Sequence, residues 1–278
     1  MSAWLEYITI GRVGRISINR AEKRNALSTL MCREMIEAFA QADADPAVGA
    51  VMVRGNGTAF CAGMDLEEVL AADQSELAHL HERLFTVIQR ARKPIVVAVR
   101  GAAVAAGMGL AANAHIVVAA PEARFGLTEI RIGLWPVIVF RAVVRAIGER
   151  RATELSLTGR TISADEAFRF GLVTEIASDP KTKAFELAKK LAEFSPVATA
   201  AGLEYADQIR GLSWAEAAPI GHKTRSELMA TDDFTEGVRA FLEKRPPQWP
   251  SLGPYDSPVD DAIAEPGEPE SPSDDHSA

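Results

Sequence analysis

Residues 93–134 read KPIVVAVRGAAVAAGMGLAANAHIVVAAPEARFGLTEIRIGL. Five apolar residues at 95–99 predict a buried strand. That strand feeds a turn of small residues opening straight into a short helix. A second strand is expected over 115–119, and then a loop carrying one carboxylate, Glu129, among apolar neighbours. Small residues at a strand-to-helix junction let a ligand approach backbone N–H groups, and the helix N-terminus favours negative charge there. Such a turn is suited to an oxyanion, with Glu129 beside it to move a proton. The turn contains no Asp or Glu, and position 109 is glycine.

Outward from this run the pattern repeats. Residues 7–19 predict two short strands around Gly11-Arg12-Val13-Gly14, followed by the polar loop NRAEKRNALS (19–28). Ser28 is the expected N-cap of a helix over 29–42, with Leu30, Ile36 and Phe39 on one face. A strand over 47–54 ends in GNGTAFCAGMDL (55–66), where Asp65 is placed to cap a short helix from Leu66. An amphipathic helix over 76–92 stops at Pro94, and a last strand is expected over 172–176. Strands alternating with helices predict an α/β fold with parallel pairing. From 181 onward the pattern is helical only, over 181–194, 196–211, 213–230 and 233–244. The expected organisation is a core over 1–195, a helical region over 196–250 and an acidic tail over 251–278.

Composition narrows the classes. The chain has 278 residues, 47% of them apolar, enough for one large domain with an appendage. Its net charge of −8 is misleading: residues 251–278 hold eight acids and no Lys or Arg, leaving 30 basic and 30 acidic residues in 1–250. No bulk bias toward nucleic acid or anionic membranes follows. The tail, rich in acids and proline, is expected to be disordered. The most apolar stretch, 95–120, is interrupted by Arg100, Asn113 and His115, which suits a buried core better than a membrane span. The N-terminus lacks a signal-peptide layout. With only Cys32 and Cys61, neither a disulfide framework nor a metal site is expected, and a cytoplasmic setting is the default.

Two loops carry chemistry: AFCAGMDL (59–66) and RGAAVAAG (100–107). Each follows an expected strand and is rich in small residues with free N–H groups. One donor from each is able to polarise a carbonyl and stabilise the enolate formed from it. His115 reads as a structural strand-edge residue, and nothing near Cys61 suggests a base to make it a nucleophile.

In order, NRAEKRNALS, AFCAGMDL, KPIVVAVRGAAVAAGMGLA, FGLTEIRIGL and ELSLTGRTISADEAFRFGLV resemble the successive signatures of the enoyl-CoA hydratase/isomerase (crotonase) superfamily. The resemblance runs from about residue 5 to 176, and EGVRAFLEKRPPQW (236–249) is similar to the family's C-terminal end. It implies a spiral of ββα turns, a C-terminal helical trimerisation region, and a homotrimer or dimer of trimers. It also implies an acyl-CoA thioester substrate, as in fatty acid metabolism, with coenzyme A part of that substrate and no separate cofactor. By motif position the oxyanion donors are the N–H groups of Met64 and Ala106. Lys23, Arg24 and Ala26, with Ala62, Asp65 and Leu66, are implied for the adenine and pantetheine. Lys244, supplied by a neighbouring subunit, is implied for the nucleotide phosphates.

The hydratases of this family use two carboxylates. One corresponds to Glu129; Gly109 stands at the other. A single carboxylate can run a 1,3-proton shift, which is the isomerase pattern. TEIRIGL and VVRAIGERR also resemble the branched-chain methylglutaconyl-CoA hydratases, where glycine can stand at this position. Ala105 and Ala106 replace the family's usual glycines. Trp135 and Phe140 in GLWPVIVF (133–140) are expected to narrow or cap the acyl pocket, of which Gly109 is also an expected part. Val137 stands where the dehalogenase branch has its nucleophile. The reading is a 2-enoyl-CoA hydratase with Glu129 as acid/base; the alternatives are an isomerase using Glu129 alone and a non-catalytic acyl-CoA-binding protein.

Overall fold

The computed structural model describes residues 1–253. Its frame is a sheet of six strands: β1 (Leu5–Ile10), β2 (Val13–Ile18), β3 (Ala50–Gly55), β5 (Ile95–Val99), β7 (Ile116–Ala119) and β10 (Glu175–Ile176), in the order β1-β2-β3-β5-β7-β10. Only β1 and β2 run antiparallel; every other neighbour pair in this sheet is parallel. β3 and β5 are buried along their whole length, as parallel strands covered on both faces must be. Val51, Val53, Ile95, Val97 and Val99 point into the larger core, while Ala50, Met52, Val96 and Ala98 point the other way. There α8 (Pro180–Ala192) covers them with Ala184, Ala188 and Ala192. The four-residue spacing of these alanines makes a smooth stripe that lets the helix lie close to the sheet.

A second sheet of four short strands was not apparent in the residue pattern: β4 (Ala59–Cys61), β6 (Ala102–Val104), β8 (Arg124–Gly126) and β9 (Thr161–Ser163), in the order β4-β6-β8-β9. The expected small-residue turn after β5 is in fact β6. Three-residue strands are too short to show a period of two, so their identity comes from pairing. β3 leads to β4, β5 to β6 and β7 to β8, and each pair is followed by helical structure. After β4 come α2 (Leu66–Ala71) and α3 (Gln74–Gln89), and after β6 comes α4 (Ala106–Asn113). After β8 come a 3-10 turn (Glu129–Ile132), α5 (Val137–Ile147) and α6 (Glu149–Thr158). The chain therefore winds as three successive ββα turns. β4, β6 and β8 are parallel neighbours, so their C-terminal ends lie side by side.

The expected caps hold: Ser28 accepts from Met31 N at the start of α1 (Thr29–Ala44), and Asp65 accepts from Glu67 N at the start of α2. One expected helix-face residue does not hold. Leu30 is exposed, and α1 buries Met31, Met35, Ile36, Phe39 and Ala42 instead.

α7 (Ala164–Phe170) lies between β9 and β10, and the chain ends in α9 (Pro196–Gln208), α10 (Trp214–Met229) and α11 (Asp232–Glu243). Asp233 anchors α11: its carboxylate accepts from Ser195 Oγ at 2.5 Å and from Ser251 N and Oγ at 2.9 and 2.6 Å. Arg12 donates to the Gly253 carbonyl at 2.7 Å, so packed chain continues past the expected boundary at 250. The rest of the expected acidic tail lies outside the described residues. No helix among the described residues is long and apolar enough to cross a membrane.

Candidate active site

The three adjacent strand ends of the small sheet organise the site. Met64 follows β4, Ala106 follows β6 and Glu129 follows β8, each two or three residues beyond its strand. Met64 forms a parallel bridge with Leu27: Leu27 N donates to Gly63 O at 2.8 Å and Asp65 N donates to Leu27 O at 2.9 Å. In that pattern the flanking residues make the bonds, and the Met64 N–H points away from Leu27. Ala106 is the first residue of α4, so its N–H has no intrahelical acceptor. Neither N–H has a hydrogen-bond acceptor among the described residues. The two loops touch: a Cβ built on Gly63 (φ +104°) would lie 3.0 Å from Ala105 Cβ and 3.8 Å from Ala106 N. Ala105, the N-cap of α4, has φ 51° and ψ −119°, a strained conformation for a residue with a side chain.

The loop over 20–27 is hydrogen-bonded to β4 and the turn that follows it. Arg20 and Asp65 form an ion pair at 2.8 Å with both side chains buried. Burial works to raise the Asp65 carboxyl. The Arg20 hydrogen bond, the Glu67 N–H and the Arg20 charge outweigh it and hold the group below the usual aspartate range. Asn25, fully buried with φ 58°, accepts from Arg20 N and donates to the carbonyls of Asn56 and Ala59. Lys23 pairs with Glu67 at 2.8 Å on the surface.

These elements enclose a cleft of about 520 Å3. Lys23, Arg24, Ala26, Ala62, Met64, Asp65, Leu66, Ala106, Glu129 and Trp135, all singled out from the sequence, line it. Glu129 is half-buried, its Oε2 is buried without a hydrogen-bond partner, and desolvation raises its carboxyl despite its own backbone N–H. Trp135 packs against Phe140 with ring centroids 5.7 Å apart. The wall that sequence reasoning missed is α3, which contributes Leu77, Ala78, His81 and Phe85. Their helical spacing was the available signal, but it reads equally as a core-facing stripe.

The sequence and the fold point to one family. The enoyl-CoA hydratase/isomerase family model matches residues 9–252.

The chain belongs to the enoyl-CoA hydratase/isomerase family.

It is 40% identical over 249 residues to a putative enoyl-CoA hydratase of Thermus thermophilus, covering 86% of this chain and 98% of that one. It is 34% identical to the mevalonyl-coenzyme A hydratase of Aspergillus fumigatus, covering 84% of this chain and 90% of that one. The crystal structure of an enoyl-CoA hydratase from Mycobacterium smegmatis superposes with a TM-score of 0.84 at 32% identity, covering 89% of this chain and 99% of that one. The fold is thus the crotonase fold, and the protein is an enzyme of the hydratase/isomerase family.

Three residues expected at the site of this hydratase/isomerase do not line the cleft: Gly109, Lys244 and Phe140, which packs against Trp135. Gly109 is buried on α4. A Cβ there would lie 2.3 Å from Val139 Cγ1 and 3.0 Å from Phe85 Cε1, so α5 and α3 fill the space a side chain would use. Phe85 and Val139, which stand beside Gly109, line the cleft themselves. Lys244 caps the C-terminus of α11 and does not line the cleft of its own chain. His115 Nδ1 accepts from Ile95 N at 2.9 Å, and burial, helped by the Arg145 charge, lowers its pKa to about 4.

Proposed function

We propose that this family member adds water across the double bond of a 2-enoyl-CoA thioester. One observation carries the reading: the residues of the unengaged Met64 and Ala106 N–H groups line the same cleft as Glu129, whose Oε2 is unpartnered. Two donors at a thioester oxygen stabilise the enolate in which negative charge develops. Glu129, its carboxyl raised by burial, is the acid/base that exchanges a proton with the α-carbon. The coenzyme A moiety runs over Lys23, Arg24, Ala26, Ala62, Asp65 and Leu66 at the cleft mouth. The acyl chain lies against Trp135, Phe85 and Val139, and no separate cofactor takes part. The hydratase names of the Thermus and Aspergillus relatives support the choice of reaction.

The closed space at Gly109 favours a second reading, a double-bond isomerase using Glu129 alone. Assays with crotonyl-CoA and a 3-enoyl-CoA separate the two. Hydration lost in Glu129→Gln supports the first reading; isomerisation without hydration replaces it with the second.

We also propose a homotrimer or dimer of trimers. Trp214, Phe241 and Leu242 are 91%, 82% and 74% exposed on the terminal helices, and the assembly would bring Lys244 of one chain toward the phosphates bound by another. Sedimentation equilibrium tests it, and a monomer would overturn it.

A further inference from the structure

Hydration moves two protons, because water loses one while the α-carbon gains one, and two groups can divide that work. Position 109 supplies none and has no room for one. Of the cleft's other titratable side chains, Lys23 and Glu67 pair with each other at the surface and Asp65 pairs with Arg20. Arg24 is a cation and cannot act as a base. Glu129 and His81 remain. His81 is 8% exposed, lines the cleft, and makes no hydrogen bond or ion pair among the described residues. Its ring nitrogens are not among the fully enclosed unpartnered atoms of the described residues, so they reach accessible space, where the cleft contents are the available partner.

Position strengthens the case. His81 and Phe85 are four residues apart on α3 and share its cleft face. Phe85 Cε1 reaches to 3.0 Å from where a Cβ at 109 would stand. His81 therefore stands one turn of α3 from the residue whose ring reaches the point at which a second carboxylate would leave α4.

We propose that His81 is the second catalytic group, the base that takes a proton from the attacking water. This rests on the hydratase reading. The water oxygen bonds to the β-carbon as one of its O–H protons passes to an imidazole nitrogen. The π pair moves toward the thioester, whose oxygen is held by the Met64 and Ala106 N–H groups. The Glu129 carboxyl then gives its proton to the α-carbon as the thioester carbonyl re-forms. A proton passing from His81 to Glu129 through solvent restores the enzyme, and the net change is addition of water. Burial lowers the His81 pKa and raises that of Glu129, so both groups are held toward the neutral forms this sequence of steps begins from. The other charges lining the cleft are Lys23, Arg24, Asp65 and Glu67. Of the helices packed against α3, α4 carries no charged side chain, α1 carries Arg33, Glu34, Glu37 and Asp43, and α5 carries Arg141 and Arg145.

The test compares wild type, His81→Gln and His81→Phe for crotonyl-CoA hydration, thermal midpoint and the pH dependence of kcat. His81→Gln preserves polarity without a base, and His81→Phe preserves bulk. Both are expected to lose about 100-fold or more in kcat, with KM changed less than about threefold and the midpoint nearly unmoved. The acidic limb of the rate profile is expected to disappear from the residual activity. Hydration by His81→Gln within about threefold of wild type overturns this assignment and leaves the hydratase reading intact. So does a loss of kcat in which the acidic limb persists. A wild type that binds acyl-CoA but hydrates no 2-enoyl-CoA overturns both.

Discussion

Gly109 on α4 and Val139 on α5 share one volume: a Cβ at 109 would stand 2.3 Å from Val139 Cγ1 and 2.7 Å from Val139 Cβ. The absent carboxylate is therefore more than a substitution at one position. The neighbouring helix has packed into the space, and Val139 is itself 4% exposed.

Gly109→Ala is accordingly expected to destabilise the protein by about 1–3 kcal/mol through overpacking, and Gly109→Glu by more. Val139→Ala alone leaves a cavity, but combined with Gly109→Ala it restores room. Chemical denaturation of the two single variants and the double variant measures this. The double variant should lose less stability than the sum of the singles. Strict additivity would mean that the two side chains do not meet.

The Arg20–Asp65 pair links the loop over 20–27 to the turn carrying Met64. Arg20→Ala leaves a buried carboxylate without its cation and is expected to cost about 3–5 kcal/mol, together with a higher KM for acyl-CoA. The pH dependence follows from the lowered Asp65 pKa. Its stabilising effect is fully present above the ordinary aspartate range and is lost as pH falls through its folded value, because the unfolded chain then binds the proton more readily. Denaturation midpoints of wild type and Arg20→Ala should therefore converge as the pH is lowered into that region.

Cys32 and Cys61 are both buried, and burial pushes both thiols up to about 12. The thiolate is the reactive form, so neither is expected to react with a thiol-specific disulfide reagent at pH 8 in the native protein. Both should react after denaturation. Rapid native labelling of Cys61 would mean that the turn after β4 opens far more often than its packing implies.

The legible parts of the fold were the long periodic ones. β5 and β7 announced themselves through continuous Val, Ala and Ile, and the terminal helices through their caps and breaks. The motif loops gave Met64, Ala106 and Glu129, which follow neighbouring strands of one sheet. What stayed hidden depends on contacts distant in sequence. β4, β6 and β8 are three residues each and exist because they pair with one another. That Val139, thirty positions away, occupies the space beside Gly109 has no local signature. His81 looks like any polar interruption of a helical stripe until the opposite wall of the cleft is known.

Ala105 carries a side chain at φ 51° and ψ −119°, a backbone region natural to glycine. Such strain costs about 1–3 kcal/mol, partly offset by the lower chain entropy of alanine in the unfolded state. Ala105→Gly is therefore expected to stabilise the protein by about 1 kcal/mol while leaving the Ala106 N–H in place. Thermal and chemical denaturation should both register the gain. A destabilised variant would mean that the methyl group's packing outweighs the strain.

Glu129 should show the converse relation between stability and chemistry. Burial raises its carboxyl pKa, so the native state holds its proton to higher pH than the unfolded chain does. Stability from this group is fully present below the ordinary glutamate range and declines as pH rises through the folded value. Glu129→Gln keeps the shape and removes the charge. Its denaturation midpoint should match wild type in acid and exceed it at pH 8, while hydratase turnover falls about 100-fold or more. If the midpoint of Glu129→Gln instead falls below wild type at pH 8, the ionised carboxylate has a partner that stabilises it, and the acid role assigned to Glu129 fails with that result.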